Sequence, residues 1–138
     1  MLAACGAKEL TAAEPDPLIG EWIGSFTRLD GTDAGEGSFL LVVRAGGAGT
    51  GTGYTAYANA DTLLIEELFL QMEIEPSGQV TGNGIWYLII SDLGGFYAEG
   101  DVSGLLDPAS LTGNGGLTVD AGGSPHTFNW QVTKEGAR

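Results

Sequence analysis

Cysteine, histidine and positive charge are all scarce in this sequence. Its 138 residues include one cysteine, Cys5, one histidine, His126, and five lysines and arginines against 18 aspartates and glutamates. One cysteine cannot form an internal disulfide, and one cysteine with one histidine cannot supply the clustered ligands of a structural zinc site. Five dispersed cations in a chain of net charge −13 cannot form the positive surface that nucleic acids require. We therefore predict no metal site and no nucleic-acid partner.

Long hydrophobic runs are also absent. The apolar runs at residues 39–43 and 85–90 are five or six residues long, whereas a transmembrane helix needs about 18. Apolar residues still make up 43% of the chain, which is enough for the core of one domain of this length. Glycine is abundant, with 24 residues. The backbone is therefore expected to bend sharply or to approach a neighbouring strand closely at many points.

Apolar and polar residues alternate with period two from Gly20 onward, in segments separated by glycine, proline and aspartate. This pattern predicts strands at the spacing of roughly 8–12 residues that is typical of an antiparallel meander. Val80-Thr81-Gly82-Asn83-Gly84 recurs as Leu111-Thr112-Gly113-Asn114-Gly115, with the glycines on the apolar face. Such glycines let strands coil and close. The predicted fold is an all-β, antiparallel up-and-down barrel of about eight strands over residues 18–138, after a flexible tether of residues 1–17.

Two segments are harder to assign from the sequence. Residues 63–75 begin with leucine and glutamate, which favour helix, and alternate cleanly only from Leu68 onward. A strand is therefore predicted for their second half. Residues 45–51 are glycine-rich and predict a turn, which leaves a short strand at 54–58. The pattern Gly51-Thr52-Gly53-Tyr54-Thr55-Ala56 is interpreted as a hairpin turn, because the βαβ unit of a dinucleotide site does not follow it.

The single cysteine lies in the segment Leu2-Ala3-Ala4-Cys5-Gly6. This segment resembles the lipobox of bacterial lipoproteins, in which the signal peptidase cuts before the cysteine and the cysteine is lipidated. The resemblance implies a lipidated Cys5 and a membrane-anchored protein of the bacterial cell envelope, on the periplasmic or the cell-surface side. The inner and the outer membrane are both candidates for the membrane that holds it. A signal peptide has a charged start and an apolar run of about 7–15 residues, so we expect further residues upstream of Met1.

Gly20-Glu21-Trp22 opens the first predicted strand. It resembles the Gly-x-Trp signature of lipocalins and the wider calycin group, which includes avidin-like barrels. The resemblance implies an eight-stranded barrel whose closed end is plugged by Trp22. It also implies a cation from the last strand stacked on that ring, for which Lys134 is the nearest candidate and Arg138 a weaker one. A cation over a tryptophan face gains roughly 0.5–2 kcal/mol.

Seven aromatic residues fall on predicted inward faces and form the candidate ligand-binding set. They are Trp22, Phe26, Tyr54, Trp86, Phe96, Phe128 and Trp130. They either pack a filled core or line an apolar cavity, for which the inward glycines would leave room. The predicted function is binding of a small apolar or amphipathic molecule in the barrel. Neutral or cationic amphiphiles are favoured over fatty acids because the surface is acidic.

The alternative is a non-enzymatic protein-interaction or structural module of the envelope, with a barrel filled by side chains. In that case Ile85, Tyr87 and Ile89, which lie opposite the face of Trp86, form an exposed apolar patch. No group of residues with the spacing of a catalytic or cofactor site is found, so we predict no enzyme, no catalytic residue and no cofactor. His126 follows a Ser124-Pro125 turn and is interpreted as a surface residue. The protein is expected to be a monomer.

Overall fold

The computed structural model describes residues 17–29, 36–59 and 61–136. These residues form strands, turns and bends, and no helix occurs among them. There are eight strands: β1 Gly20–Arg28, β2 Gly37–Val43, β3 Ala48–Asn59, β4 Thr62–Ile74, β5 Gln79–Ile90, β6 Gly94–Asp107, β7 Thr112–Ala121 and β8 Ser124–Lys134. Cys5 and the predicted tether up to Asp16 lie outside the described residues.

The strands form a closed barrel in sequence order. Each strand is antiparallel to the next, and β1 closes the ring by pairing with β8, from Trp22 opposite Lys134 to Arg28 opposite Phe128. Closure removes the two outer edges that a meander of eight strands would otherwise expose. The predicted all-β, up-and-down architecture is confirmed.

Two of the predicted segment assignments are wrong. Strand β3 begins at Ala48, so Gly51-Thr52-Gly53-Tyr54-Thr55-Ala56 lies within a strand and is not a hairpin turn. Strand β4 is continuous from Thr62, including the leucines and glutamates that favour helix. Both errors have one cause. Pairing of β3 with β4 over twelve residue pairs, from Ala48 opposite Glu73 to Asn59 opposite Thr62, overrides the local preferences of glycine, leucine and glutamate.

The interior is a single apolar cluster built from alternate residues of seven strands. Strand β3 contributes no apolar side chain to it, because its buried positions are Gly49, Gly51, Gly53 and Thr55. The largest fully buried members of the cluster are three tryptophans and two phenylalanines: Trp22, Trp86, Trp130, Phe26 and Phe128. Trp130 stacks on Phe39 with ring centroids 5.7 Å apart, and Phe26 lies 6.4 Å from Phe128. The rings therefore pack against one another across the barrel.

The inward glycines accommodate these rings. A Cβ at Gly51 would lie 2.8 Å from Phe39 Cζ, and one at Gly53 would lie 2.8 Å from Phe26 Cε1. A Cβ at Gly104 would lie 2.7 Å from Trp130 Cζ2. The space next to these glycines is thus occupied by aromatic side chains. The expectation that the inward glycines leave room for a ligand is wrong at these positions.

A second kind of inward glycine brings backbones together. A Cβ at Gly24 would overlap the carbonyl oxygen of Gln131 on the neighbouring strand, and one at Gly100 would overlap that of Thr118. Only glycine permits such close approach. These contacts occur between paired strands, β1 with β8 and β6 with β7, and they give the sheet the coiling that closure demands.

The N-terminal end of the barrel is closed by Trp22. Its indole Nε1 donates a hydrogen bond to the carbonyl of Leu18 (3.0 Å), and both side chains are buried. Lys134 lies opposite Trp22 on β8, but its ammonium donates to the carbonyl of Pro17 (2.7 Å). Trp22 is therefore buried at this end of the barrel. The cation–ring contact recorded within the described part of the chain lies elsewhere, between Arg28 and Trp86. Arg138 is outside that part.

Candidate functional site

The opposite end of the barrel, here called the mouth, is the end at which β1, β3, β5 and β7 finish and β2, β4, β6 and β8 begin. Six inward-directed polar or aromatic side chains gather below it. We call them the mouth cluster: Arg28, Tyr57, Glu66, Trp86, Phe96 and His126. Six strands contribute one residue each: β1, β3, β4, β5, β6 and β8.

A buried ion pair is the most unusual feature of this cluster. Arg28 Nη1 lies 2.9 Å from Glu66 Oε2, and the Glu66 side chain is only 1% exposed. The Tyr57 hydroxyl donates to the same carboxylate oxygen (2.9 Å), and Arg28 Nη2 lies 3.5 Å from the Tyr57 hydroxyl oxygen. A carboxylate that is removed from water needs such partners, because desolvation of each ion costs several kcal/mol.

Strand periodicity explains why these charges point inward. On β1, Arg28 lies an even number of residues from Trp22 and Phe26, so its side chain is on the same face as these buried residues. On β4, Glu66 likewise lies on the same face as Leu68 and Leu70. Each strand therefore places one charged residue on its apolar face, and the two charges have opposite sign.

The Tyr57 phenol is held in its neutral form. Burial, and then the hydrogen bond to the Glu66 carboxylate, raise the pKa of Tyr57 above its ordinary value. The positive charge of Arg28 acts in the opposite direction but is outweighed. Tyr57 therefore remains a hydrogen-bond donor to Glu66 at neutral pH.

Trp86 lies at the centre of the mouth cluster. Its ring is 5.5 Å from Phe96 in an edge-on arrangement, 5.0 Å from His126 and 5.3 Å from Phe128, and the guanidinium carbon of Arg28 is 5.7 Å from its centroid. The side chain is 1% exposed, and its indole Nε1 has no hydrogen-bond acceptor within residues 17–29, 36–59 and 61–136. A buried donor without an acceptor costs about 1–3 kcal/mol.

Phe96 lies between Trp86 and the solvent. The strand partners of Trp86, in the same inward row, are Leu68 and Ala98. Phe96 belongs to the next row towards the mouth, beside Leu88. Its side chain is 45% exposed, so it covers the tryptophan without being fixed on all sides.

The seven sequence-predicted site residues fall into three groups. Trp86 and Phe96 are at the mouth, whereas the core holds Trp22, Phe26, Phe128 and Trp130. Tyr54 is on the outer wall and 49% exposed, so its predicted inward position is wrong. On β3 the neighbours of Tyr54, which are Gly53 and Thr55, are buried. Because successive residues of a strand face opposite sides, Tyr54 points outward.

His126 was expected on the surface, and this expectation is wrong. The residue is half-buried and packs against Trp86, because β8 begins at Ser124 and directs the side chain inward. Sequence reasoning also missed Arg28, Tyr57 and Glu66. A signal for two of them was present, since Arg28 and Glu66 are opposite charges on the apolar faces of their strands.

The mouth cluster combines an aromatic surface with a guanidinium, a carboxylate, a phenol and an indole N–H. Such a set can hold a molecule that has both an apolar part and a polar group. Among the residues that the structure describes, no group of three or more histidine, cysteine, aspartate or glutamate side chains could hold a metal ion. No helix long and apolar enough to cross a membrane is found in the same residues.

Comparison with known proteins yields no match to a family model, to a curated protein or to a solved structure. The site must therefore be interpreted from its own geometry.

Proposed function

We propose that this protein is a non-enzymatic binding protein that holds a small, neutral, amphipathic molecule at the mouth of its barrel. The observation that carries the proposal is the environment of Trp86. Its buried indole N–H has no acceptor among the described residues, and the ring contacts Phe96, His126 and Phe128 and lies beside a buried ion pair. An amphipathic ligand would cover the rings with its apolar part and accept a hydrogen bond from Nε1.

The interior towards the closed end is less suited to binding a ligand. Towards the closed end, the glycine positions that could have formed a cavity are filled by Phe26, Phe39 and Trp130. The mouth is where inward-directed side chains become partly exposed, as Phe96 and His126 do. A ligand that binds inside this barrel would therefore enter at the mouth.

The buried ion pair supports a binding role rather than a stabilising one. Replacement of a buried pair by apolar residues of similar size is often neutral or stabilising, so the pair is weak evidence for stability. It does provide fixed polar groups in a dry environment, where they are most selective. Because Arg28 and Glu66 neutralise each other, the pair offers no net charge to an ionic ligand, and the net charge of −13 of the chain repels anions.

The proposal includes an address in the bacterial envelope. It is supported by the resemblance of Leu2-Ala3-Ala4-Cys5 to a lipobox, which would place a lipid on Cys5. Leu18 lies at the closed end of the barrel, so the anchor would attach on the side opposite the mouth and leave the mouth accessible. The residues that would carry the anchor lie before the described ones.

Binding of 1-monooctanoylglycerol, a neutral amphiphile, tests the proposal. The full chain is titrated below the micelle concentration by calorimetry, and we expect one saturable site. Phe96→Ser removes apolar contact at the mouth and should weaken binding about tenfold. The matched control is Leu105→Ser, an exposed side chain on the outside of β6, which should change the affinity by less than about twofold.

A second control is Leu40→Ser, on the outer wall of the barrel. Equal weakening by Phe96→Ser and Leu40→Ser would place the amphiphile outside the barrel. Absence of saturable binding would contradict the proposal and favour a side-chain-filled interaction module.

A further inference from the structure

The outer wall of the barrel has an apolar side. On β7 and β8 the outward residues are polar, and they include Asn114, Thr118, Asn129 and Gln131. On β1 to β6 many outward residues are large and apolar. The aromatic wall, as we call it, consists of Ile23, Leu40, Tyr54, Phe69, Ile85, Tyr87, Ile89 and Tyr97.

These residues form continuous rows across the sheet. One row runs from Ile23 through Leu40 and Thr52 to Phe69 and Ile85. The adjacent row contains Tyr54, Glu67, Tyr87 and Tyr97 as successive strand partners. The rings contact one another, with centroids 5.5 Å apart for Phe69 and Tyr87 and 5.9 Å apart for Tyr87 and Tyr97.

A shallow groove of about 410 Å³ crosses this wall between β1 and β4. Its lining includes Ile23, Leu40, Tyr54, Glu67 and Phe69. Scattered apolar side chains on a surface need no explanation, but a contiguous patch of rings and aliphatic residues marks an interaction site. The predicted patch of Ile85, Tyr87 and Ile89 is thus present and is part of a larger surface.

The charges on the aromatic wall are all negative within the described residues. Glu67 lies between Tyr54 and Tyr87 in its row, and Glu99 is the strand partner of Ile85. The three cations of the described chain are elsewhere. Arg28 is inside the barrel, while Arg44 bonds to Thr50 and Lys134 to Pro17 near the closed end.

The apolar rows and the carboxylates of the aromatic wall together determine which kind of partner can bind there. Anionic lipid headgroups would be repelled by Glu67 and Glu99. A second copy docked through the same wall would bury carboxylates of one sign in an apolar interface, which is strongly unfavourable. Lysine or arginine side chains among apolar ones would pair with Glu67 and stack on the neighbouring tyrosines.

We infer that the aromatic wall is a docking surface for a cationic amphipathic segment of a partner protein. The wall is distinct from the mouth, so the two sites can be occupied together. This inference does not depend on the ligand proposed for the mouth.

The probe is a fluorescently labelled amphipathic peptide of leucine and lysine, titrated against the full chain at physiological ionic strength. A peptide with glutamate in place of lysine is the reference and should not bind. Glu67→Gln should raise the Kd about three- to fivefold. Glu73→Gln is the matched control, because Glu73 is also outward on β4 but lies beside Ala48 and Thr81, and it should leave the Kd unchanged.

The apolar part of the surface is tested by Leu40→Ser, which should raise the Kd about tenfold, against Leu105→Ser, which should not change it. Thermal melts verify that all four variants are folded. Equal effects of Glu67→Gln and Glu73→Gln would show attraction by net charge alone and overturn the inference. Leu40-dependent dimerisation, or Leu40-dependent adsorption to phosphatidylcholine vesicles without peptide binding, would overturn it as well.

Discussion

At the residue scale, the mouth is distinguished by two charges in positions where the strand pattern calls for apolar side chains. Arg28 and Glu66 pair with each other, and Tyr57 donates a hydrogen bond to the same carboxylate oxygen. Six of the seven aromatic residues lie on the inward face, as the sequence predicts, because they alternate in step with the apolar residues of their strands. Sequence reasoning could not place Tyr54, since β3 offers glycine and threonine on its inward face and tyrosine on the outward one.

Substitutions can test whether the Arg28–Glu66 ion pair contributes to the stability of the fold. Glu66→Leu alone leaves the Arg28 guanidinium without its carboxylate, and Arg28→Met alone leaves a buried carboxylate without its guanidinium. Each should lower the free energy of unfolding by about 3–5 kcal/mol. The double variant Arg28→Met with Glu66→Leu should recover most of that loss, because no ion then remains to be desolvated.

Urea unfolding of the two single variants and the double variant measures these changes. We expect the double variant to be folded and to have lost affinity for 1-monooctanoylglycerol. A double variant that is as unstable as the sum of the single ones would show that the pair is needed for the fold itself.

At the element scale, most of the barrel could be predicted from the sequence. Alternation placed the strands, short connections made them antiparallel, and inward glycines indicated closure. The beginnings of β3 and β4 could not be predicted, because glycine-rich and leucine–glutamate segments have no strand preference of their own. Only their pairing with each other, which is a long-range interaction, makes them strands.

The two kinds of inward glycine differ in how they respond to substitution. At Gly51, a Cβ would contact only side chains, Phe39 Cζ at 2.8 Å and Met72 Cε at 3.0 Å. At Gly100, it would overlap the backbone carbonyl of Thr118. Gly51→Ala should therefore cost about 1–3 kcal/mol, the range for overpacking, and Phe39→Leu should relieve part of that cost.

Gly100→Ala should cost at least as much, and a smaller neighbouring side chain should not restore stability, because the obstacle is backbone. Thermal melts of Gly51→Ala, Phe39→Leu and their combination give the coupling energy. Strictly additive effects would mean that Phe39 does not occupy the space beside Gly51.

At the scale of the whole molecule, the barrel has two distinct ends and two distinct sides. Trp22 and Leu18 seal one end, and the other gathers the polar and aromatic residues of the mouth cluster. The outer surface is polar on β7 and β8 and apolar on the aromatic wall.

Anchoring is tested with native protein that is expressed in a bacterium behind a complete signal peptide. Lipidation of Cys5 should carry the wild-type chain into the detergent phase on phase separation, because two or more acyl chains give durable membrane attachment. Cys5→Ser should remain uncleaved or appear in the aqueous phase. Identical partitioning and migration of the two forms would contradict the proposed address.

The most direct test of the account is the indole N–H signal of Trp86 in a nitrogen–proton correlation spectrum. The chain has three tryptophans, and each signal can be assigned by a Trp→Phe substitution. Trp22 Nε1 already donates to Leu18. Trp130 Nε1, like that of Trp86, has no acceptor among the described residues, but Trp130 is deep in the core and away from the mouth. On titration with 1-monooctanoylglycerol, the Trp86 signal should move downfield and saturate as Nε1 gains an acceptor, while the other two change little. If Trp86 is unaffected at saturation, or if all three signals move alike, the mouth is not the binding site.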